Sequence, residues 1–131
     1  MSRVIKFRAW EKNLKEIIPV HNIDFEKQMI NTEGAWRTFT ECEIMQFTGL
    51  TDRNGVDIYE GDIIPAYGSG YYKVIWYKDG WHLEEMWYRV NSQNKHARTR
   101  MGSIMVSNFE VIGNVWENLD LLENENGDLL K

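Results

Sequence analysis

Turn-forming residues recur so closely along this chain that its ordered segments must be short. Asn31-Thr32-Glu33-Gly34 and Asp52-Arg53-Asn54-Gly55 are polar reversals ending in glycine. Pro65 to Gly70 contains two glycines and a serine, and Lys78-Asp79-Gly80 carries an Asp-Gly pair. Asn and Gly accept the positive φ that tight hairpin turns need, so these stretches join strands. Many short strands linked by glycine turns predict a mainly β fold, either a small barrel or a meander.

The segments between the turns carry strand periodicity. Lys6-Phe7-Arg8-Ala9-Trp10 alternates charged and apolar side chains, the period of a half-buried strand. Glu16-Ile17-Ile18-Pro19-Val20 returns beside it, and Pro19, without an N–H, predicts an edge strand. Ile23, Phe25 and Met29-Ile30 are read as one further strand, and Trp36 to Thr40 as the next. Thr40, followed three residues later by Glu43, predicts a single helical turn ahead of an Ile44–Phe47 strand. Tyr71–Tyr77 is the clearest strand, and Trp81–Val90 returns antiparallel across Asp79-Gly80. Asn91 to Gly102 reads as a long polar loop. Ser103–Ser107 and Phe109–Trp116 read as strands, Asn118 as the cap of a short helix over 119–122, and residues 123–131 as a tail.

Three blocks of this sequence resemble one known family. They are Ile5-Lys6-Phe7-Arg8-Ala9-Trp10; Gln46-Phe47-Thr48-Gly49-Leu50-Thr51-Asp52 with Asn54-Gly55 and Ile58-Tyr59-Glu60-Gly61-Asp62-Ile63; and Phe109-Glu110-Val111-Ile112-Gly113-Asn114-Val115-Trp116-Glu117-Asn118. In order and spacing they are similar to the YopX family of bacteriophage and prophage proteins, mostly from Gram-positive hosts. Leu119 stands where that family commonly has proline. The resemblance implies a mainly β, phage-associated protein of unassigned biochemical role, and it transfers no catalytic residues. The strand and turn pattern itself leads to a specific expectation: residues 44–131 as an SH3-like small β-barrel with a short C-terminal helix and acidic tail, and residues 1–43 as a β-rich lobe packed against it without a linker.

Charge placement narrows the partners. The net charge is −5, from 15 basic and 20 acidic residues. Basic and acidic residues balance through residues 1–102, so the excess falls in 103–131, where Glu110, Glu117, Asp120, Glu123, Glu125 and Asp128 face Lys131 alone. A general electrostatic grip on nucleic acid is not expected from this distribution. Cys42 is the only cysteine; it cannot form an intramolecular disulfide and is read as a small buried apolar residue. Arg3, Lys6 and Arg8 interrupt the apolar residues of the first ten positions, and no apolar run approaches the length of a membrane span. The expectation is a cytoplasmic protein in the host cell, away from membranes.

Candidate chemistry is sparse. Asp52-Arg53-Asn54-Gly55-Val56-Asp57 resembles part of a calcium loop, but Ile63 stands where the closing glutamate would be. An Asx-stabilised hairpin turn is predicted instead. Glu60 and Asp62 share one side of a strand at period two, and paired carboxylates can do acid–base work when burial raises one pKa. The favoured reading is structural: carboxylates bonded to N–H groups of the turn, and Gly61 meeting a backbone requirement. Asn54, Gly55, Tyr59, Glu60, Gly61 and Asp62 thus form a predicted structural corner. His21, His82 and His96 lack the spacing of a metal pair. Gly68-Ser69-Gly70 lacks the lysine and helix of a phosphate loop. No catalytic set, metal or cofactor is predicted.

The aromatic hairpin is more informative. Tyr72, Val74 and Trp76 fall on one face of the 71–77 strand, with Tyr71, Ile75 and Tyr77 on the other. Trp81, Leu83 and Trp87 share a face of the returning strand. A strand apolar on both faces is either sandwiched or exposes a patch. Trp76 is expected in the core, and part of the Trp81–Trp87 face under another subunit or the N-terminal lobe. Lys95, His96, Arg98 and Arg100 make a local cationic loop without an acid. The candidate binding surface is therefore Tyr77, Trp81, Trp87, Tyr88, Lys95, Arg98 and Arg100. The expected function is a non-enzymatic accessory protein that binds a host or phage macromolecule, as a homo-oligomer. The alternative is a small nucleic-acid-binding barrel that uses the 95–100 loop over stacking aromatics.

Overall fold

The computed structural model describes residues 3–65, 70–86, 98–102 and 108–118. The described chain is mainly β, in three antiparallel sheets. The first has four strands in the order β2 (Glu16–Pro19), β1 (Phe7–Glu11), β6 (Cys42–Thr51) and β7 (Asp57–Tyr59). Pro19 does lie on an edge strand, where its missing N–H interrupts no ladder. The second sheet is the meander β3 (Asn22–Asp24), β4 (Met29–Thr32) and β5 (Ala35–Thr38). The third has five strands, ordered β11 (Arg98–Arg100), β10 (Gly80–Glu85), β9 (Tyr71–Tyr77), β8 (Asp62–Pro65) and β12 (Gly113–Asn114), and curls into a half-barrel.

Several elements differ in detail from the expectation. The stretch 23–30 is a hairpin, with Ile23 opposite Ile30, because Gln28 at φ 55° reverses the chain within it. The helical turn is a 3₁₀ turn at Phe39–Glu41, its cap two residues earlier than predicted: Glu41 Oε1 accepts from the Thr38 N–H at 2.9 Å. The second hairpin turns on Lys78-Asp79, with Lys78 at φ 58°, and Gly80 already pairs with Tyr77 as the first residue of β10. In Phe109–Trp116 only Gly113 and Asn114 join a sheet. Beyond them Asn114 Oδ1 accepts from the N–H groups of Trp116 and Glu117, which turns the chain away from β8. Asn118 Oδ1 accepts from the Asn114 N–H at 3.1 Å. The helix expected over 119–122, the Ser103–Ser107 strand and the acidic tail lie outside the described residues. The 43/44 boundary between lobe and barrel falls inside β6, whose Cys42 and Glu43 pair with β1.

The core divides along the sheets. Ala9, Ile18, Ile30 and Cys42 are buried between the first and second sheets, so the lone cysteine is a buried apolar residue. Ile58, Ile64, Val74, Leu83 and Phe109 fill the half-barrel, with Leu50, Tyr72, Trp81, Met101 and Val111 around them. β6 and β7 belong to the first sheet, yet Leu50 and Ile58 point into the half-barrel. They bring the chain to the corner that joins the sheets. Among the described residues, no helix is long and apolar enough to cross a membrane.

Candidate functional site

Glu60-Gly61 connects β7 to β8, and three backbone hydrogen bonds fix it. The Glu60 N–H donates to the Gln46 carbonyl at 2.9 Å and the Gly61 N–H to the Val74 carbonyl at 2.8 Å, while the Gly61 carbonyl accepts from the Val115 N–H at 2.9 Å. Gly61 sits at φ +88°, in the left-handed region that side chains rarely adopt. A Cβ added there would meet Met45 Sδ and Val115 Cγ2 at 3.5 Å, ordinary contact distances. The conformation, not the space, demands glycine.

That turn separates the two acids instead of aligning them on one strand face. Asp62 is buried, with 1 % of its surface exposed. Its Oδ1 accepts from Arg8 Nη2 at 2.5 Å and its Oδ2 from the Tyr59 N–H at 2.7 Å. The Arg8 guanidinium also lies over the Tyr59 ring, 4.5 Å from its centroid. Burial pushes the Asp62 carboxyl above the usual carboxylate range, against the opposing pull of Arg8 and the Tyr59 N–H. Both oxygens are engaged, so the geometry is that of a structural tie. Glu60 stays at the surface, half-buried. The alternation around Phe7 showed Arg8 as a polar-face residue; its partner, 54 residues further on, carried no local signal.

The turn before β7 is the predicted Asx turn. Asp52 Oδ1 accepts from the Asn54 and Val56 N–H groups at 2.8 and 2.9 Å, and Oδ2 from the Val111 N–H at 2.9 Å. Desolvation alone would raise this buried carboxyl, but the three N–H donors together hold it below the usual range. Gly55, at φ +79°, takes the left-handed position; Asn54 does not. This places Asn54, Gly55, Tyr59, Glu60, Gly61 and Asp62 along one continuous connection.

The aromatic hairpin is arranged differently from its expected form. Trp81 stands opposite Trp76, and Leu83 opposite Val74. Val74 and Leu83 are buried, but Trp76, the expected core residue, is 52 % exposed. Trp76 shares their face but lies outside the cluster that fills the half-barrel. Trp76 and Trp81 meet edge to face, with centroids 5.1 Å apart and planes at 84°. With Arg3, Gln46 and Glu60 they line a cleft of about 370 Å³. A second cleft of about 200 Å³, against Gly61, Lys73 and Trp116, shares Glu60.

On the opposite face the two described cations of the candidate surface, Arg98 and Arg100, are paired. Arg98 Nε meets Glu84 Oε2 at 3.0 Å and its guanidinium lies 4.3 Å from the Tyr77 ring centroid. Arg100 Nη2 meets Asp79 Oδ1 at 2.6 Å. The acids come from β10 and its turn, which the strand register brings opposite β11. Tyr77, Arg98 and Arg100 are therefore engaged with one another's neighbourhood. Trp87, Tyr88, Lys95 and His96 lie outside the described residues. Among the described residues, no group of three or more His, Cys, Asp or Glu is placed to hold a metal.

These features define a mainly β protein whose sheets are locked at a buried guanidinium–carboxylate corner, with an aromatic cleft beside it. The chain belongs to the YopX protein family, whose model matches residues 6–123. It is also similar to a solved structure, the crystal structure of protein EF1440 from Enterococcus faecalis. The two share 27 % identity over 93 % of this chain and 100 % of that one, with a TM-score of 0.66. None of the curated proteins matches the sequence.

Proposed function

We propose that this is a non-enzymatic accessory protein of phage or prophage origin, acting in the host cytoplasm, that binds a macromolecule through the Trp76–Trp81 cleft. The half-barrel then serves as the SH3-like scaffold that holds the cleft. The observation that carries the reading is Trp76 itself: a large aromatic left 52 % exposed beside a second tryptophan and a concave surface. Tryptophans in such positions dominate binding energy at interfaces. The nucleic-acid alternative loses support, because Arg98 and Arg100 already neutralise Glu84 and Asp79. Self-association belongs to the same reading, with the cleft as its contact.

Trp76→Ala tests it. The substitution removes mainly the edge-to-face pair, so stability should fall by only about 0.5–1.5 kcal/mol. Capture of partners from infected-host lysate, or the light-scattering mass, should nonetheless change. Unchanged capture and unchanged mass in a folded variant would refute the reading.

A further inference from the structure

The proposed cleft combines two features that select its ligand. Its walls are two indoles nearly at right angles, and its carboxylate, Glu60, is half-buried and forms no ion pair among the described residues. Among the described residues the Glu60 side chain accepts only from the Gln46 N–H, 3.4 Å from Oε1, a weak bond. An indole face is electron-rich and attracts a cation, and a carboxylate beside it adds the counter-charge.

We propose that this cleft receives an arginine side chain of a basic protein partner, an inference that rests on the binding role assigned above. A planar guanidinium can stack on one indole while its edge donates two N–H bonds to Glu60. A lysine ammonium can satisfy the carboxylate but has no face to stack. Gln46, on the same wall, adds a neutral amide. Arg3 is the cleft's own cation, contributed by the segment ahead of β1. It opposes an incoming cation and would favour an anionic ligand, so removing it acts in opposite directions for the two classes.

The test is titration of the full chain with acetylated, amidated triarginine, trilysine and tricitrulline peptides, and with oligothymidylate. The readout is tryptophan fluorescence and indole N–H NMR shifts. Triarginine should bind saturably and more tightly than trilysine, with tricitrulline weaker by about tenfold for loss of the charge-assisted bonds. Glu60→Gln keeps shape and acceptor but loses charge, and should weaken triarginine by about tenfold. Trp76→Ala should weaken it about fivefold, and Arg3→Ala should tighten it. Triarginine that fails to bind, or binds equally to Glu60→Gln, overturns the inference. So does tighter binding of oligothymidylate that weakens in Arg3→Ala. Should any of these occur while Trp76→Ala still abolishes capture or changes mass, the cleft remains a contact surface and only its arginine specificity falls.

Discussion

Replacing Arg8 by methionine exposes how much the corner contributes, because Arg8 and Asp62 are the most deeply placed ion pair among the described residues. Their side chains are 18 % and 1 % exposed, and Arg8 Nη2 and Asp62 Oδ1 are 2.5 Å apart. Methionine keeps much of the packing over Tyr59 but leaves Asp62 as a buried charge with only the Tyr59 N–H for company. Breaking one side of such a pair costs about 3–5 kcal/mol, which for a chain of this size lowers the melting temperature by on the order of 10–20 °C. The pH dependence gives a second, independent signature. A carboxyl whose folded pKa lies above its unfolded value contributes stability that is fully present below the unfolded pKa and lost as pH rises through the folded one. Burial already raises Asp62 against the opposition of Arg8. Without Arg8 the rise is larger, so the variant's deficit is greatest near neutrality and shrinks as pH falls toward about 4. Adding Asp62→Asn removes the stranded charge and should restore part of the loss at neutral pH. The assay is urea unfolding of parent, single and double variants at pH 7 and pH 4.5. An Arg8→Met variant within about 1 kcal/mol of the parent at neutral pH, or a deficit that grows on acidification, would refute the assignment of Asp62 as a buried, Arg8-dependent carboxylate.

Three further outcomes follow from the same geometry. Gly61→Ala should destabilise by about 1–2 kcal/mol through its left-handed backbone, with valine worse because it is β-branched; equal melting of parent and alanine variant would contradict the φ of +88°. Asp52→Asn should cost about 1–3 kcal/mol at neutral pH, because an amide nitrogen in place of Oδ2 leaves the Val111 N–H without its acceptor. Since the folded Asp52 pKa is depressed, that contribution is present above the unfolded value of about 3.9 and fades as pH falls, so parent and variant should converge in acid unfolding curves. Leu83→Ala, in the centre of the half-barrel, should cost about 2–5 kcal/mol by calorimetry, well beyond the loss from Trp76→Ala on the same sheet face.

Local rules made the strands legible. Tyr71–Tyr77 begins and ends where its β-branched and aromatic run does, and Pro19 marked its edge strand because a missing donor is best tolerated where no ladder bond is lost. The Asx turn at Asp52 was legible for the same reason: the oxygen that closes it is two to four residues from the donors it serves. Trp76 was not. Period two assigned it correctly to the face of Val74 and Leu83, but a face is buried only as far as something packs on it, and Trp76 lies outside the cluster those two share. The pairing of Arg98 and Arg100 was hidden by the converse route: their acids, Glu84 and Asp79, are distant in sequence and adjacent only through the β10–β11 register. Gly61 lay between, since its need for a special conformation was readable while its consequence, sending Asp62 inward and leaving Glu60 outside, required the turn to be seen.

The same distinction explains why the residues that carry the family resemblance say little about chemistry. The opening block supplies Arg8; the central block supplies Gln46, Asp52, Tyr59, Glu60, Gly61 and Asp62; the closing block supplies Val111 and Val115. Arg8 bonds Asp62, Gln46 receives the Glu60 N–H, Val115 donates to Gly61, and Val111 donates to Asp52. Three stretches far apart in sequence therefore meet at one connection, each through a bond that the others cannot replace. Acidic and basic residues that would read as an active site in a list are consumed in joining sheets. The surface left over, Trp76 with Trp81, lies in the β9–β10 hairpin, outside all three blocks; Arg3 does too, and only Gln46 and Glu60 reach it from the corner. A scaffold fixed by the shared blocks thus presents a cleft whose aromatic walls can vary without disturbing the tie beneath, so changes at Trp76 should alter what is bound while changes at Arg8 alter whether the sheets hold together.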